Sequence, residues 1–377
     1  MNVTIACDVL GEANNGTTIA TLNFIRYLIK KGHNVKVISN DFGNCDIPEE
    51  NQCLLPTLDL GSLANKIIAK NGVSLAKIDN KVLVEAIESA DVVHIQFPLM
   101  IGRAAVKIAK HLDKPITASF HCQAENVSTH VGMQNNLIVS KAIYKDFYLR
   151  VYKDCDCVHY PTVFIKKTFE KACHHKTNAF VISNGVNTIY ANHHLEKKNE
   201  KFTIASTGRL SHEKAQDVLI KAVSMSKYKD KIALKFAGEG PLLEKYTELA
   251  QNLGVDANFS FYSRTALVDL LNSADLYVHS AFIEIEAISC IEAICCGLVP
   301  VISNAKRSAT KAFALDEKSL FTENSPKDLA KKIDYWIEHP EEKAEYVKKY
   351  EVMSRQFEQE ECMKQMEEML IEAKRIH

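Results

Sequence analysis

Two glutamates, Glu284 and Glu292, are the side chains whose spacing points most directly to chemistry. Glu284 follows a segment expected to be a strand, and Glu292 falls in the first turn of a short helix whose other face is apolar. With Glu286 they place three carboxylates beside a helix N-terminus, which is unfavourable unless a ligand compensates them. The hydroxyl donors of a sugar or a ribose would do so. For Glu292 there is a structural alternative, because Ser289 and Glu292 have the spacing of a helix capping box.

Two cations, Arg209 and Lys214, lie where the first strand of the C-terminal half is expected to end. Fixed positive charges at the carboxyl end of a strand suit a diphosphate, and the alternative is a pair of solvated surface cations. Gly208 directly precedes Arg209, and Gly238 follows the next strand in an Ala-Gly-Glu-Gly-Pro segment. A glycine at that place permits close approach of the backbone.

A further glycine loop follows the first strand of the chain and ends in Gly16-Thr17-Thr18. Its spacing is nearly that of a P-loop, but Thr17 stands where the phosphate-binding lysine must be, and the dinucleotide fingerprint is absent too. Two interpretations stay open. The loop is either a backbone anion site at the start of a helix, or a plain strand–helix connection with Thr17 as the N-cap.

No metal centre is expected from the cysteines and histidines. The eleven cysteines lack the C-x-x-C pairs of a zinc site, and buried free thiols are the default interpretation. Cys173, His174 and His175 are adjacent, but a helix end with histidines near its last carbonyls is the favoured interpretation.

Composition excludes several functional classes. The 377 residues include 46 Lys and Arg against 47 Asp and Glu, and 46% are hydrophobic, as in ordinary globular proteins. A generally basic nucleic-acid binder lacks this balance, so no nucleic-acid partner is expected. No segment approaches the roughly 20 apolar residues of a membrane span, and the first residues do not resemble a signal peptide. A cytoplasmic location is therefore expected.

Short apolar strands alternate with amphipathic helices in two blocks, which a polar segment at 192–201 separates. This alternation predicts an α/β protein of two doubly wound, Rossmann-like domains, each with a parallel sheet covered on both faces. Ligands of such sheets bind outside the carboxyl ends of the strands, so the site is expected in a cleft between two facing domains.

The motifs, taken in order, resemble glycosyltransferase family 4, or group 1. These are retaining, nucleotide-sugar-dependent enzymes of the GT-B fold, and the sequence looks most like bacterial diacylglycerol glucosyltransferases. The resemblance covers nearly the whole chain. The segments that carry it are Lys31-Gly-His-Asn-Val35, Asp91-Val-Val-His94, Ser183-Asn-Gly-Val-Asn187, Gly208-Arg209, Lys214, Gly238-Glu-Gly-Pro241, Glu284 with Glu292, and Gly297 with Pro300.

The resemblance implies roles for the candidate residues. Arg209 and Lys214 would hold the donor diphosphate and stabilise it as it leaves, so that no metal or other cofactor is needed. Glu284 would contact the donor sugar and Glu292 the ribose. His121 would lie beside the transferred sugar, the alternative being a histidine that merely ends a strand. The other implied donor-binding positions are Gly16, Gly208, Gly238 and the backbone N–H groups of Ala287, Ile288 and Ser289 at a helix N-terminus.

The resemblance also implies the domain limits. Residues 1–187 would form the acceptor domain and 188–356 the donor domain, with 357–377 crossing back onto the first. Met363, Met366 and Met369 recur at helical spacing in that last segment and are expected to pack in a core. Two departures from the family pattern bear on which sugar is accepted: Asn15 precedes Gly16, and Glu284-Ile-Glu-Ala replaces Glu-Gly-Phe-Gly.

The acceptor is expected to bind in the N-terminal domain. Residues 1–185 carry 20 Lys and Arg against 17 Asp and Glu, the sign expected for contact with anionic lipid. The segment 138–153 interleaves lysines and an arginine with tyrosines and a phenylalanine, so it is either a membrane-interface helix or an ordinary helix with one face in the core. Residues 122–130 are expected to form the acceptor loop.

The leading hypothesis is a retaining transferase that moves a hexose, expected to be glucose from a UDP-sugar, to a hydroxyl of a lipid or membrane-linked acceptor. Such an enzyme would act peripherally on the inner face of the cell membrane. One alternative is the same chemistry on a soluble acceptor or a cell-surface glycan precursor. Another is a catalytically silent partner that binds a sugar nucleotide, against which the retained Glu284, Glu292, Arg209 and Lys214 argue.

Overall fold

The computed structural model describes residues 1–10, 16–59, 61, 75–124, 137–194 and 200–377. The chain divides into two compact units. Unit 1 contains residues 1–184 and 360–377, and unit 2 contains residues 185–359.

Unit 1 is built on a parallel sheet of seven strands in the order β3-β2-β1-β4-β5-β6-β7. The strands are β1 (Asn2–Ala6), β2 (Asn34–Ser39), β3 (Gln52–Leu54), β4 (Val92–Ile95), β5 (Ile116–Ser119), β6 (Cys157–Tyr160) and β7 (Ala179–Val181). Its helices are α1 (Gly16–Lys30), α2 (Asn80–Ile87), α3 (Met100–His111), α4 (Leu137–Arg150) and α5 (Val163–Cys173).

Unit 2 repeats the plan with a parallel sheet in the order β10-β9-β8-β11-β13-β15 and a separate two-stranded pair, β12 and β14. The strands are β8 (Phe202–Thr207), β9 (Ile232–Ala237), β10 (Ala257–Ser260), β11 (Leu276–His279), β12 (Ile283–Glu284), β13 (Pro300–Ser303), β14 (Arg307–Ser308) and β15 (Leu320–Phe321). The helices are α6 (Gln216–Met225), α7 (Leu243–Asn252), α8 (Arg264–Ser273), α9 (Ile288–Cys295), α10 (Pro326–Glu338) and α11 (Pro340–Ser354).

Both sheets have the doubly wound order, because the chain runs outward from a central strand on one side and then crosses to the other. The central strands β4, β5, β6, β11 and β13 are buried along their whole length, as expected when helices cover both faces. The α/β, doubly wound architecture predicted from the alternating pattern is therefore confirmed. The order reverses between β1 and β4 in unit 1 and between β8 and β11 in unit 2, where ligands of such sheets bind.

The last helix, α12 (Gln359–Ile376), belongs almost entirely to unit 1. Met363, Met366 and Met369 are at most 3% exposed and join the core formed by β1, β2 and α1. The prediction that this methionine stripe packs in a core is confirmed.

Candidate functional site

In unit 2 the candidate residues surround the reversal between β8 and β11. After β8 the chain passes through Gly208 and Arg209 into a short 3-10 turn, His212–Lys214, before α6 begins. After β11 it turns into β12, which ends at Glu284. The two loops are joined because Ser280 Oγ donates to the Lys214 carbonyl at 2.8 Å.

Lys214 and Glu284, which lie 70 residues apart in sequence, form an ion pair from Nζ to Oε1. Their side chains are 23% and 12% exposed. Burial raises the pKa of Glu284, but the charge of Lys214 and the hydrogen bond from His279 outweigh it and hold the pKa at about 2. The carboxylate is therefore ionised at neutral pH.

Glu292 has different surroundings from Glu284. It lies in the second turn of α9, where Tyr190 shares a hydrogen bond with it and the charge of Arg264 acts on it. Burial raises the pKa of Glu292 to about 7, although Tyr190 and Arg264 act in the opposite direction. The pKa values of the two carboxylates are therefore shifted in opposite directions. At neutral pH Glu284 is ionised, and Glu292 is near the midpoint of its titration.

The capping-box interpretation of Glu292 is wrong. The helix begins at Ile288, so Ser289 lies inside it and cannot be the N-cap. The N-cap is Ala287, whose left-handed backbone (φ 65°) offers no side-chain cap. The first N–H groups of a helix have no intrahelical acceptor. The amides of Ile288 and Ser289 therefore have no acceptor within α9 and lie at its N-terminus, two and three residues after the buried Glu286.

The glycines after β8 and β9 pack against each other. A Cβ on Gly238 would lie 2.2 Å from the carbonyl oxygen of Gly208, and Gly238 has φ +151°. Gly208 (φ +136°) lies against the aliphatic part of Lys214. The close backbone approach that the sequence predicted at Gly238 is thus an approach to Gly208. Arg209 is exposed, and its carbonyl, not its guanidinium, is fixed by Gln216 Nε2 at 2.9 Å.

In unit 1 His121 lies two residues beyond Ser119, the last residue of β5, and is 8% exposed. Its ring contacts Phe97 and His159 at centroid distances of 6.3 and 5.7 Å. It lines a small cavity together with Gln96, and burial lowers the pKa of His121 well below the usual value. The ring is therefore neutral at physiological pH.

Two further expectations concern loops of unit 1. Gly16 is the first residue of α1, so Thr17 lies inside the helix and is not its N-cap. The loop before Gly16, 11–15, and most of the expected acceptor loop, 125–130, lie outside the described residues.

Sequence reasoning missed two buried polar residues near these sites. Asp8, two residues after β1, accepts from the amides of Ile101 and Gly102 at 2.6 and 3.1 Å, and burial raises the pKa of Asp8 to about 6. It thereby fixes the N-terminus of α3 at the reversal point of the unit 1 sheet. In unit 2, His279 ends β11 and contacts Glu284. A polar residue at the carboxyl end of a buried strand was the available signal in both cases.

One face of the helix in the segment 138–153 packs in the protein core. α4 ends at Arg150, and Tyr144, Phe147 and Tyr152 are at most 3% exposed, so those aromatic rings cannot enter a bilayer. Ile138 and Leu149 remain exposed, at 80% and 49%. Within the described part of the chain, no helix combines the length and apolar character needed to cross a membrane.

The described residues contain no group of three or more His, Cys, Asp or Glu side chains arranged to hold a metal ion. Cys173 is buried at the end of α5, and His174 adopts the left-handed C-cap conformation. This agrees with the helix-end interpretation of that cluster.

The structure therefore brings Lys214 and Glu284 into contact and places Gly208, Gly238 and the α9 N-terminus in the same unit, with Glu292 one turn further along α9. Gly16 and His121 belong to unit 1.

Comparison with known proteins accounts for both units. Residues 191–352 match the family model for glycosyl transferases group 1, and residues 14–189 match the model for Glycosyltransferase Family 4. An alpha-monoglucosyldiacylglycerol synthase from Streptococcus pneumoniae is 24% identical over 313 residues, which cover 76% of this chain and 67% of that protein.

Two solved structures are also similar. Anabaena HepE in complex with UDP-glucose aligns with a TM-score of 0.72 at 16% identity, over 99% of this chain and 100% of that one. The catalytic domain of a cholesterol-alpha-glucosyltransferase from Helicobacter pylori is 49% identical, with a TM-score of 0.38, over 41% of this chain and 97% of that one. From the two family matches and the shared GT-B fold, the chain belongs to the group 1 glycosyltransferases of family 4 and is itself a glycosyltransferase.

Proposed function

We propose that this protein is a retaining glucosyltransferase that transfers glucose from UDP-glucose to a hydroxyl of a lipid acceptor. The contact between Lys214 and Glu284 carries the proposal. It places a cation and a firmly ionised carboxylate together at the sheet reversal where ligands of doubly wound sheets bind. A diphosphate needs the first of these groups and a sugar hydroxyl the second.

The donor would be held in three parts. Arg209, Lys214 and the first amides of α9 would bind the diphosphate, Glu292 the ribose hydroxyls, and Glu284 the glucose. Gly208 and Gly238 would bring the two loops close enough together for this. The structure of HepE with UDP-glucose supports the donor assignment because its fold is shared over nearly the whole chain.

In the transfer step, the acceptor hydroxyl oxygen forms a bond to the anomeric carbon while the bond from that carbon to the diphosphate breaks. Attack from the face that the diphosphate leaves retains the configuration, and the acceptor proton passes to the departing diphosphate. Arg209 and Lys214 stabilise the negative charge that develops there, so no metal or other cofactor takes part. His121 of unit 1, uncharged at neutral pH, would donate or accept a hydrogen bond at the transferred sugar.

The lipid acceptor rests on the relative from Streptococcus pneumoniae, whose name describes a glucosyldiacylglycerol synthase. A peripheral membrane contact would use the exposed side of α4, where Ile138 and Leu149 accompany Lys141 and Lys145. Lysines on such a face are attracted to anionic headgroups.

The test is an assay with labelled UDP-glucose, UDP-galactose, UDP-N-acetylglucosamine and GDP-mannose, each with diacylglycerol in anionic vesicles or with soluble sugars. We expect an α-glucosyl lipid from UDP-glucose, with the anomer assigned from the NMR coupling of its anomeric proton, and the same rate in EDTA. Lys214→Ala should abolish transfer, whereas Lys245→Ala, an exposed lysine of the same unit, should not. An inverted product would contradict retention, and transfer confined to soluble sugars would contradict the lipid acceptor. Binding of the donor without any transfer would favour a silent partner.

A further inference from the structure

One carboxylate oxygen, Oε1 of Glu284, carries both of the contacts that hold this side chain. Lys214 Nζ pairs with it, and His279 Nε2 lies 3.1 Å from the same atom. Oε2 makes no hydrogen bond within the described part of the chain. The carboxylate therefore already has one oxygen anchored by the protein and the other available for a ligand.

Of the two partners, His279 is held more firmly in place. Its side chain is 3% exposed, against 23% for Lys214. His279 ends a central strand of the sheet, whereas Lys214 ends a short 3-10 turn. The histidine is thus part of the sheet, and the lysine reaches Glu284 from the edge of the site.

A buried chain of hydroxyl groups orients the imidazole. Because a carboxylate only accepts hydrogen bonds, Nε2 must carry the proton that it donates to Glu284. On the other side of the ring, Nδ1 lies 3.3 Å from the Tyr277 hydroxyl. That hydroxyl in turn lies 2.9 Å from Thr207 Oγ1 and 3.4 Å from Ser289 Oγ. A phenol both donates and accepts, so it can satisfy Nδ1 whether or not that nitrogen bears a proton.

Binding of a donor would change the balance between the two partners. This step rests on the proposed function, in which Lys214 moves to the diphosphate and Glu284 takes the sugar. A largely buried carboxylate that loses its cation without another partner is strongly destabilised. Because His279 belongs to the sheet and, among the described residues, its side chain hydrogen-bonds Tyr277 and Glu284 alone, it can keep its hydrogen bond throughout.

We propose that His279 is a positioning residue that holds Oε1 of Glu284 when Lys214 turns to the diphosphate, so that Oε2 faces the sugar. The residue does not touch the reacting atoms. Its effect should therefore appear in the recognition of the sugar and not of the nucleotide.

The test compares the dissociation constants of UDP and UDP-glucose, measured by calorimetry, in three proteins. His279→Leu removes the hydrogen bond, and His279→Gln retains a donor near the position of Nε2. We expect the ratio of the UDP-glucose constant to the UDP constant to rise about tenfold in His279→Leu, as for the loss of a hydrogen bond to a charged group, with UDP itself changed less than twofold. His279→Gln should recover most of that ratio.

His339→Gln, at an exposed histidine of the same unit, is the matched control and should leave both constants unchanged. If His279 had a purely structural role, both variants would raise the dissociation constants of UDP and UDP-glucose by the same factor, and the ratio of the two constants would stay unchanged. An unchanged ratio in folded His279→Leu would overturn the inference. If the wild-type protein bound neither ligand, the proposed function and the inference that rests on it would both be rejected, and the wild-type measurement alone would reveal this.

Discussion

At the scale of single residues, the two glutamates that have similar positions in the sequence differ in chemistry. Glu284 is held ionised by Lys214 and His279, whereas the pKa of Glu292 is raised to about 7. The pKa of Glu292 in the folded protein lies above the ordinary value of 4.5. The protonated Glu292 side chain therefore contributes fully to the stability of the donor-free fold below about pH 4.5, and this contribution is lost as the pH rises through about 7. Donor binding should have the opposite dependence, because an ionised carboxylate is the better acceptor for ribose hydroxyls.

The first prediction follows for Glu292→Gln. In the wild type, the KM for the donor should fall as the pH rises through about 7. The variant should have a KM about tenfold higher or more at pH 8, because a hydrogen bond to a charged group is lost, and no change in KM around pH 7. Steady-state kinetics from pH 6 to 8.5 measure this, with the exposed Glu244→Gln as control. A variant whose KM keeps the wild-type pH dependence would exclude Glu292 as its source.

The second prediction concerns Arg209→Ala. Since Arg209 is exposed, its removal should change the free energy of unfolding by less than about 0.5 kcal/mol. It should lower kcat by roughly 100-fold, as for other groups that stabilise charge in the transition state. Rapid-quench or steady-state rates at saturating donor test this against Lys245→Ala. A variant with an unchanged kcat and a raised KM would assign Arg209 to ground-state binding alone.

At the scale of elements, three neighbouring strands of unit 1 are linked by a buried hydrogen-bonded chain. His159 Nε2 donates to the Ile182 carbonyl at 2.7 Å, so its Nδ1 accepts from Ser119 Oγ at 2.9 Å when the ring is neutral. Ser119 Oγ in turn accepts from His94 Nε2 at 3.0 Å, and Thr117 donates to His94 Nδ1 at 2.8 Å. These contacts allow a single placement of the protons along the hydrogen-bonded chain, and in that placement the rings of His94 and His159 are both neutral.

The third prediction is the pH dependence of this chain. Burial lowers the pKa of His159 from the usual 6.5 to about 4. Between these two pH values the unfolded chain binds a proton that the folded protein does not, so the free energy of unfolding decreases as the pH falls from about 6.5 to about 4. His159→Gln keeps a hydrogen-bonding side chain but does not titrate. At pH 8 we expect the variant to have a lower free energy of unfolding than the wild type. As the pH falls through that window, this difference should shrink by about 1.4 kcal/mol per pH unit.

Urea unfolding followed by circular dichroism at pH 8, 6 and 5 gives the deficit directly. The variant His193→Gln changes an exposed histidine and should follow the wild type at every pH. If the His159→Gln deficit stayed constant with pH, the ring would not be neutral in the fold as described.

At the scale of the whole molecule, the chain forms two units, and its last helix completes the core of the first. Met369 is fully buried there, whereas Ile371, two residues later, is 49% exposed. The protein's one tryptophan, Trp336, is fully buried in unit 2. Fluorescence therefore reports the unfolding of unit 2, while circular dichroism reports both units.

The fourth prediction is that Met369→Ala destabilises unit 1 by about 2–5 kcal/mol, because a buried side chain is replaced by a cavity. The circular dichroism transition should move to lower denaturant concentration, the Trp336 fluorescence transition should stay in place, and Ile371→Ala should change neither. An equal movement of both transitions would mean that the two units unfold as one cooperative body.

The sequence alone determined the architecture and much of the site. The strict alternation of short apolar strands and amphipathic helices leaves few options besides doubly wound sheets, since each element must bury its apolar face against the next. The sequence placed Lys214 after one expected strand of the C-terminal half and Glu284 after another, at the strand ends where ligands of such sheets bind. The methionine spacing predicted a packed face of the last helix.

The tertiary structure decided which groups are partners. It replaced the capping-box interpretation by an N-cap at Ala287, gave Glu292 a tyrosine from far upstream, and placed His279 against Glu284. Asp8 likewise caps a helix that begins 92 residues later. Such contacts depend on strand order and on where each crossover returns the chain, and local spacing carries no information about either. The pKa of each carboxylate follows from those contacts, so it too was fixed only when the chain had folded.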